Sequence, residues 1–147
     1  MKVPYFAYGS NMHLAQMAIR CPGARTLALV SKRGWRFMIN DRGFVTAIDD
    51  PGAEVLGCLW ELTDEHWAEL DRYEGVSSGF YTRVKCQVVR MDNGVIVDTI
   101  AYRATSEVPG VPGAEYADTV IDGARDVGLP EEYVSLIESW RDGPPES

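Results

Sequence analysis

The chain has 147 residues, 46% apolar and 24% charged, with a formal net charge of −8; that is one ordinary domain able to bury a core, and its acidic balance argues against unaided nucleic-acid binding, which needs clustered Lys/Arg. Three scattered cysteines, Cys21, Cys58 and Cys86, suggest neither a disulfide framework nor a zinc site, and no apolar run approaches membrane-spanning length. The N-terminus turns polar too soon for a signal peptide, so the expectation is a cytoplasmic protein with one domain over 1–141 and a frayed tail over 142–147.

Val3 to Tyr8 is short, aromatic and apolar and reads as a strand. Gly9-Ser10 breaks it. Asn11 to Arg20 places Met12, Ala15 and Ile19 at helical spacing, which predicts a helix starting at Ser10 or Asn11, both good caps, and ending at Cys21-Pro22-Gly23. Thr26 to Val30 and Trp35 to Asn40 read as two strands around Ser31 to Gly34, and Phe44 to Ile48 as another. Asp49-Asp50-Pro51-Gly52 predicts a turn, since Pro presets φ and Gly permits positive φ. Val55 to Leu62 is the next strand. Thr63 then caps a helix with Asp64 and Glu65 in its first turn, where the helix dipole favours anions. That helix carries Trp67 and Leu70 on one stripe and ends near Gly75. Tyr81 to Arg90 and Val95 to Tyr102 form a hairpin about Asp92-Asn93-Gly94. Pro109 to Gly113 is a loop. Ala114 to Val127 and Glu131 to Trp140 read as helices separated by Gly128-Leu129-Pro130. The pattern, roughly six or seven strands and four helices, is α+β with a largely antiparallel or mixed sheet that can close as a barrel.

Two segments stand out chemically. Tyr8-Gly9-Ser10-Asn11 runs from a strand through a glycine turn into a helix, which presents backbone N–H groups to a carboxylate, a phosphate or an oxyanion; the same segment also fits a simple capped turn. Glu74 follows Trp67 and Leu70 at i, i+3 and i+7, on the apolar face of its helix and at the negative end of the helix dipole. Both effects disfavour the anion and raise the pKa, as a carboxyl needs to serve as base and then acid near neutral pH. The competing reading is a helix-end Glu turned to solvent or paired with Arg72 or Arg83. His13 lies close to the glycine loop and within reach of a substrate; His66, among charged residues, is expected to be solvated. Cys58 and Cys86 are expected in the core, and Cys21, before Pro22-Gly23, as a partly exposed thiol. Tyr116 either lines a pocket or packs under its helix. No His, Cys or carboxylate cluster has metal-ligand spacing, Ser10 sits in no nucleophile elbow, and no phosphate loop ends in Lys-Ser/Thr. The expectation is no metal.

Taken together, Phe6-Ala7-Tyr8-Gly9-Ser10-Asn11-Met12, Leu70-Asp71-Arg72-Tyr73-Glu74-Gly75-Val76 with Ser78-Gly79-Phe80-Tyr81, and Pro112 to Tyr116 with Gly128-Leu129-Pro130-Glu131-Glu132-Tyr133 resemble the γ-glutamylcyclotransferase family in order and spacing. Phe44 to Ile48 and Val55 to Trp60 fit between them, so the resemblance spans nearly the whole chain. It implies a small mixed-sheet barrel flanked by helices, no cofactor, and an enzyme that cyclises the γ-glutamyl group of a γ-glutamyl amide to 5-oxoproline and releases an amine or amino acid. It implies Glu74 as the general base and acid, and Tyr8, Gly9, Ser10, Asn11 and Tyr116 as substrate-binding residues. Pro112-Gly113 departs from the family's frequent Pro-Ser. The alternatives are a non-catalytic module that binds a small metabolite or a protein in the same cavity, and a hydrolase that releases glutamate. The partner implied is a small molecule, with neither nucleic acid nor membrane; a homodimer follows by analogy alone.

Overall fold

In the computed structural model, which describes residues 3–145, the chain runs β1 (Tyr5–Ala7), a 3-10 turn (Ser10–Met12), α1 (Leu14–Arg20), β2 (Arg25–Ile39), β3 (Val45–Glu61), α2 (Asp64–Tyr73), β4 (Tyr81–Arg90), β5 (Ile96–Ala104), α3 (Ala114–Val127) and α4 (Glu131–Glu138). The strands close a barrel in the order β1-β3-β2-β4-β5. Neighbours pair antiparallel except β5 and β1, which meet in parallel at Tyr5 and Ile100. The expected α+β fold with a mixed, closed sheet is therefore what the chain forms. Phe6, Val30, Met38, Val55 and Val88 are fully buried, and removing such side chains from water is the main force holding the strands together.

The long β2–β3 hairpin replaces several shorter expected elements. Thr26–Val30 and Trp35–Asn40 fall in one strand, and so do Phe44–Ile48 and Val55–Leu62, apart from their last or first residues. The turn expected at Asp49-Asp50-Pro51-Gly52 does not reverse the chain. Arg33 pairs with Glu54 and Trp35 with Asp49, so residues 50–53 bulge out opposite Gly34 alone. The local turn chemistry is still there, with Gly52 N donating to Asp50 Oδ1 at 3.1 Å, but the flanking strands hold the same partner on both sides. Pairing over the whole hairpin outweighs a local turn preference.

The helix expected over residues 11–20 divides. Ser10–Met12 forms a single 3-10 turn, and α1 starts only at Leu14, capped by His13, whose Nδ1 accepts from Gln16 N at 3.2 Å. α3 forces the break. A Cβ on Gly123 of α3 would lie 2.6 Å from His13 N, so the turn is pressed against a helix that only glycine allows this close. Cys21 is buried, not partly exposed, and its thiol is pushed up to about 11 chiefly by burial. His66 is buried too: Nδ1 accepts from Thr63 N at 3.1 Å while Nε2 meets Pro22 O at 2.7 Å. A capping box at the start of α2 takes up the ring that the sequence alone would leave in water. The tail from Asp142 reaches past the described residues; within them Gly143 N donates to Trp140 O at 3.0 Å. Among the described residues, no helix is long and apolar enough to cross a membrane.

Candidate active site

At one end of the barrel, a cavity of about 240 Å³ is lined by the segment after β1, the β2–β3 turn, the end of α2 and the start of β4 and α3. Tyr8, Gly9, Ser10, Asn11, Glu74 and Tyr116 all line it. The fold thus gathers these six residues from segments that lie far apart in the chain. His13 is not among them, because capping α1 turns it away.

Glu74 is fastened by the way α2 ends. Its N–H donates to Leu70 O at 2.8 Å, Gly75 takes φ +64°, and Phe80 N returns to Gly75 O at 3.1 Å. This closed turn keeps the helix end from fraying, and Glu74 is half-buried. The ion pairs weighed for it go elsewhere. Arg72 bonds Glu69, and Arg83 grips Asp71 through two nitrogens at 2.8 and 2.6 Å. The neighbour Glu74 does have is Asn11, whose Nδ2 donates to Oε1 at 3.3 Å.

Asn11 is held on every side. Its Oδ1 accepts from Arg20 Nη1 at 2.6 Å, Nδ2 also donates to Tyr5 OH at 2.9 Å, and its carbonyl accepts from Trp60 Nε1 at 3.0 Å. Arg20 carries only donors, so the amide oxygen must face it and the NH₂ must face Glu74. Arg20 in turn lies over the Tyr73 ring, 3.3 Å from its centroid. Burial raises the Glu74 carboxyl; the Arg20 charge and the Asn11 hydrogen bond pull it back down, and the balance leaves it at about 7. Its oxygens open onto the cavity while protein surrounds the rest of the group, so desolvation dominates although the residue is not sealed off.

The walls are phenolic, and their hydroxyls are committed. Tyr8 OH donates to Tyr102 O at 2.5 Å, Tyr81 OH donates to Val45 O at 2.7 Å, and Tyr116 OH accepts from Val45 N at 3.0 Å. Burial drives the Tyr8, Tyr81 and Tyr116 phenols far above their ordinary range. They stay protonated at neutral pH and serve as shape. Gly9 sets a close contact of the same kind: a Cβ there would lie 3.1 Å from Val45 Cβ, so any larger residue would have to push the Val45 side chain back. Ser10 and Asn11 open the 3-10 turn, so their N–H groups have no acceptor within it.

Sequence reasoning missed Arg42, Phe44, Tyr73, Phe80, Tyr81 and Tyr102, which also line the cavity. Tyr81 and Tyr102 looked like ordinary strand residues. The available signal was their place at strand ends, where side chains face the mouth of a barrel instead of its core. Among the described residues, no group of three or more His, Cys, Asp or Glu stands together to hold a metal ion.

The model of the AIG2-like family matches residues 54–137, a stretch that holds both Glu74 and Tyr116. The chain is 28% identical over 145 residues to the γ-glutamylcyclotransferase of Bos taurus, covering 92% of this chain and 77% of that protein. It is 29% identical, with the same coverage, to the γ-glutamylcyclotransferase of Mus musculus. A solved structure described as γ-glutamyl cyclotransferase superposes with a TM-score of 0.85 at 27% identity, over 99% of this chain and 89% of that one.

Proposed function

Because the chain belongs to the AIG2-like family, we propose that it is a γ-glutamylcyclotransferase, which converts a γ-glutamyl amide into 5-oxoproline and a free amine or amino acid. The observation that carries this is the Glu74 carboxyl: it opens into a phenol-walled cavity, is hydrogen-bonded by Asn11 and is poised at about 7. Similarity to proteins named for this activity supports the same reading.

The chemistry needs few groups. The substrate's α-amine is an ammonium at neutral pH and cannot attack until it loses a proton. Glu74 takes that proton. The amine nitrogen then bonds to the γ-carbonyl carbon of the same molecule and closes a five-membered ring, a step favoured because nucleophile and electrophile are already tethered. The amide C–N bond breaks as Glu74 hands its proton to the departing nitrogen, and the second proton, shed by the ring nitrogen as it becomes an amide, passes to the released amine, which leaves as an ammonium. No water is consumed and no covalent enzyme intermediate forms, so the walls need supply neither a serine nor a cysteine nucleophile. The backbone N–H groups of Ser10 and Asn11 serve the substrate's α-carboxylate or the oxyanion, and Tyr8, Gly9 and Tyr116 shape the glutamyl pocket.

Mass spectrometry of the products formed from γ-glutamyl amides tests this directly. Wild-type protein is expected to accumulate 5-oxoproline, and Glu74→Gln is not. Free glutamate in place of 5-oxoproline would make the protein a hydrolase. Binding without turnover would make it a binding module.

A further inference from the structure

Arg42 has no role in the chemistry above, yet it is the one cationic side chain among the described residues lining the cavity, as Glu74 is the one anionic side chain. It sits in the tight turn between β2 and β3. There Asn40 Oδ1 accepts from both Arg42 N and Phe44 N, at 3.1 and 3.2 Å, and Asn40 also bridges to Pro109. The turn is therefore built and fixed. The guanidinium is placed as well: Nη1 reaches Thr105 Oγ1 at 3.3 Å and Phe80 O at 3.5 Å, and its carbon lies 4.7 Å from the Phe80 ring centroid. Most arginines here are matched to a carboxylate; Arg42 takes part in none of the ion pairs among the described residues, and its Nη2 and Nε donate to no acceptor among them. On a chain of net charge −8, an oriented and unneutralised guanidinium at a cavity wall is a ready site for an anion.

We propose that Arg42 is a specificity-determining residue that binds a carboxylate on the leaving group, so that the enzyme prefers γ-glutamyl amides of amino acids to those of simple amines. This rests on the cyclotransferase reading. The substrate's own α-carboxylate is the competing anion, and geometry argues against it. That carboxylate shares a carbon with the amine that Glu74 deprotonates, so it must lie close to Glu74. Asn11, which hydrogen-bonds Glu74, is buried, whereas Arg42 is exposed. Arg42 thus stands at the exposed rim of the cavity, where the departing group must lie. Phe44 and Phe80, both nearly half exposed beside it, offer apolar contact to the rest of that group.

A matched pair isolates the effect. γ-Glutamylalanine and γ-glutamylethylamide differ only by the carboxylate on the leaving group. In wild-type protein kcat/KM is expected to favour the alanine compound, and in R42Q the ratio between the two is expected to fall about tenfold or more, the weight of one charge-assisted hydrogen-bonded contact. R42K is expected to recover part of the ratio, since it keeps the charge but not the fork. Rising salt is expected to erode the wild-type preference. An equal fractional loss on both substrates in R42Q, or no loss on either, overturns the proposal. If the wild type forms 5-oxoproline from neither compound, the cyclotransferase reading fails by itself. Calorimetric binding of the same two compounds then decides the role of Arg42: a preference for the alanine compound that R42Q abolishes upholds it, and equal affinities overturn it.

Discussion

Asp71 and Glu74 are one helical turn apart at the end of α2, and the fold treats them in opposite ways. Asp71 is tied by both nitrogens of Arg83 and by Tyr102 OH at 2.6 Å. Burial by itself would raise its pKa, but those hydrogen bonds and the Arg83 charge hold the carboxyl below its ordinary value. Glu74 receives one longer bond from a neutral amide, and the cation whose charge acts on it, Arg20, bonds that amide rather than the carboxylate. Its pKa goes the other way, to about 7. The difference lies in which neighbours can reach each group, since both are carboxylates at the end of the same helix. A paired carboxylate fastens α2 to β4 and β5. An almost unpaired one nearby is a carboxyl able to gain and lose a proton at neutral pH.

Exchanging the two acids for their amides breaks this comparison most sharply. Glu74→Gln keeps the shape and removes the base, so kcat/KM for a γ-glutamyl amide is expected to fall by about 10²–10⁴-fold. Asp71→Asn is expected to lower stability by about 1 kcal/mol, because the Arg83 pair is partly exposed, and to keep kcat/KM within about tenfold of wild type. Parallel steady-state kinetics on the two variants make the check; similar losses in both would erase the distinction between a working and a fastening carboxylate.

Stability against pH gives the next largest effect, and its sign is opposite to that of an ordinary paired acid. The folded protein holds a proton on Glu74 up to about pH 7, whereas the unfolded chain releases it near 4.5. Between those values the native state binds more protons, so stability falls as pH rises and the loss is complete above pH 7. Glu74→Gln has no such proton to lose. Denaturant melts are expected to show it more stable than wild type at pH 8 by about 1–3 kcal/mol, with the gap closing below about pH 4.5. Equal stabilities at both pH values would mean that Glu74 is not held at a raised pKa.

Much of this was legible before folding, for identifiable reasons. The apolar stripe Trp67, Leu70, Glu74 placed the carboxyl on the inner face of α2, and the helix, whose last residue is Tyr73, does end near Gly75 as the glycine indicated. The barrel followed from the succession of strands. What escaped was non-local. Pairing with β3 on both sides of Gly34 overrode the turn at Asp49 to Gly52, and the pressure of Gly123 split the first helix. The contrast between Asp71 and Glu74 also escaped, because a bare sequence offers Arg83 to either acid. Arg42 escaped because an arginine in a hairpin turn is ordinarily a solvated residue, and only closure of the barrel brings the β2–β3 turn to the rim of the cavity with Phe44 and Phe80.

The smallest effect tests how the site is tuned. Arg20 acts on Glu74 in two ways that share one sign: its charge favours the carboxylate, and its bond to Asn11 Oδ1 turns the amide donor toward Glu74. Losing either raises the pKa of Glu74. In wild-type protein the base must be ionised in the free enzyme, so kcat/KM is expected to fall on the acid side through about pH 7. In Arg20→Gln that limb is expected to move to higher pH by less than about one unit, since a half-buried charge that reaches Glu74 only through Asn11 is partly screened. The cost is a few-fold in activity at pH 7 that shrinks as pH rises; Arg20→Lys, which keeps the charge, is expected to move the limb less. A uniform loss at every pH, with the limb in place, would assign Arg20 to packing on Tyr73 alone, because packing changes the height of a pH profile and only the electrostatics of Glu74 changes its position.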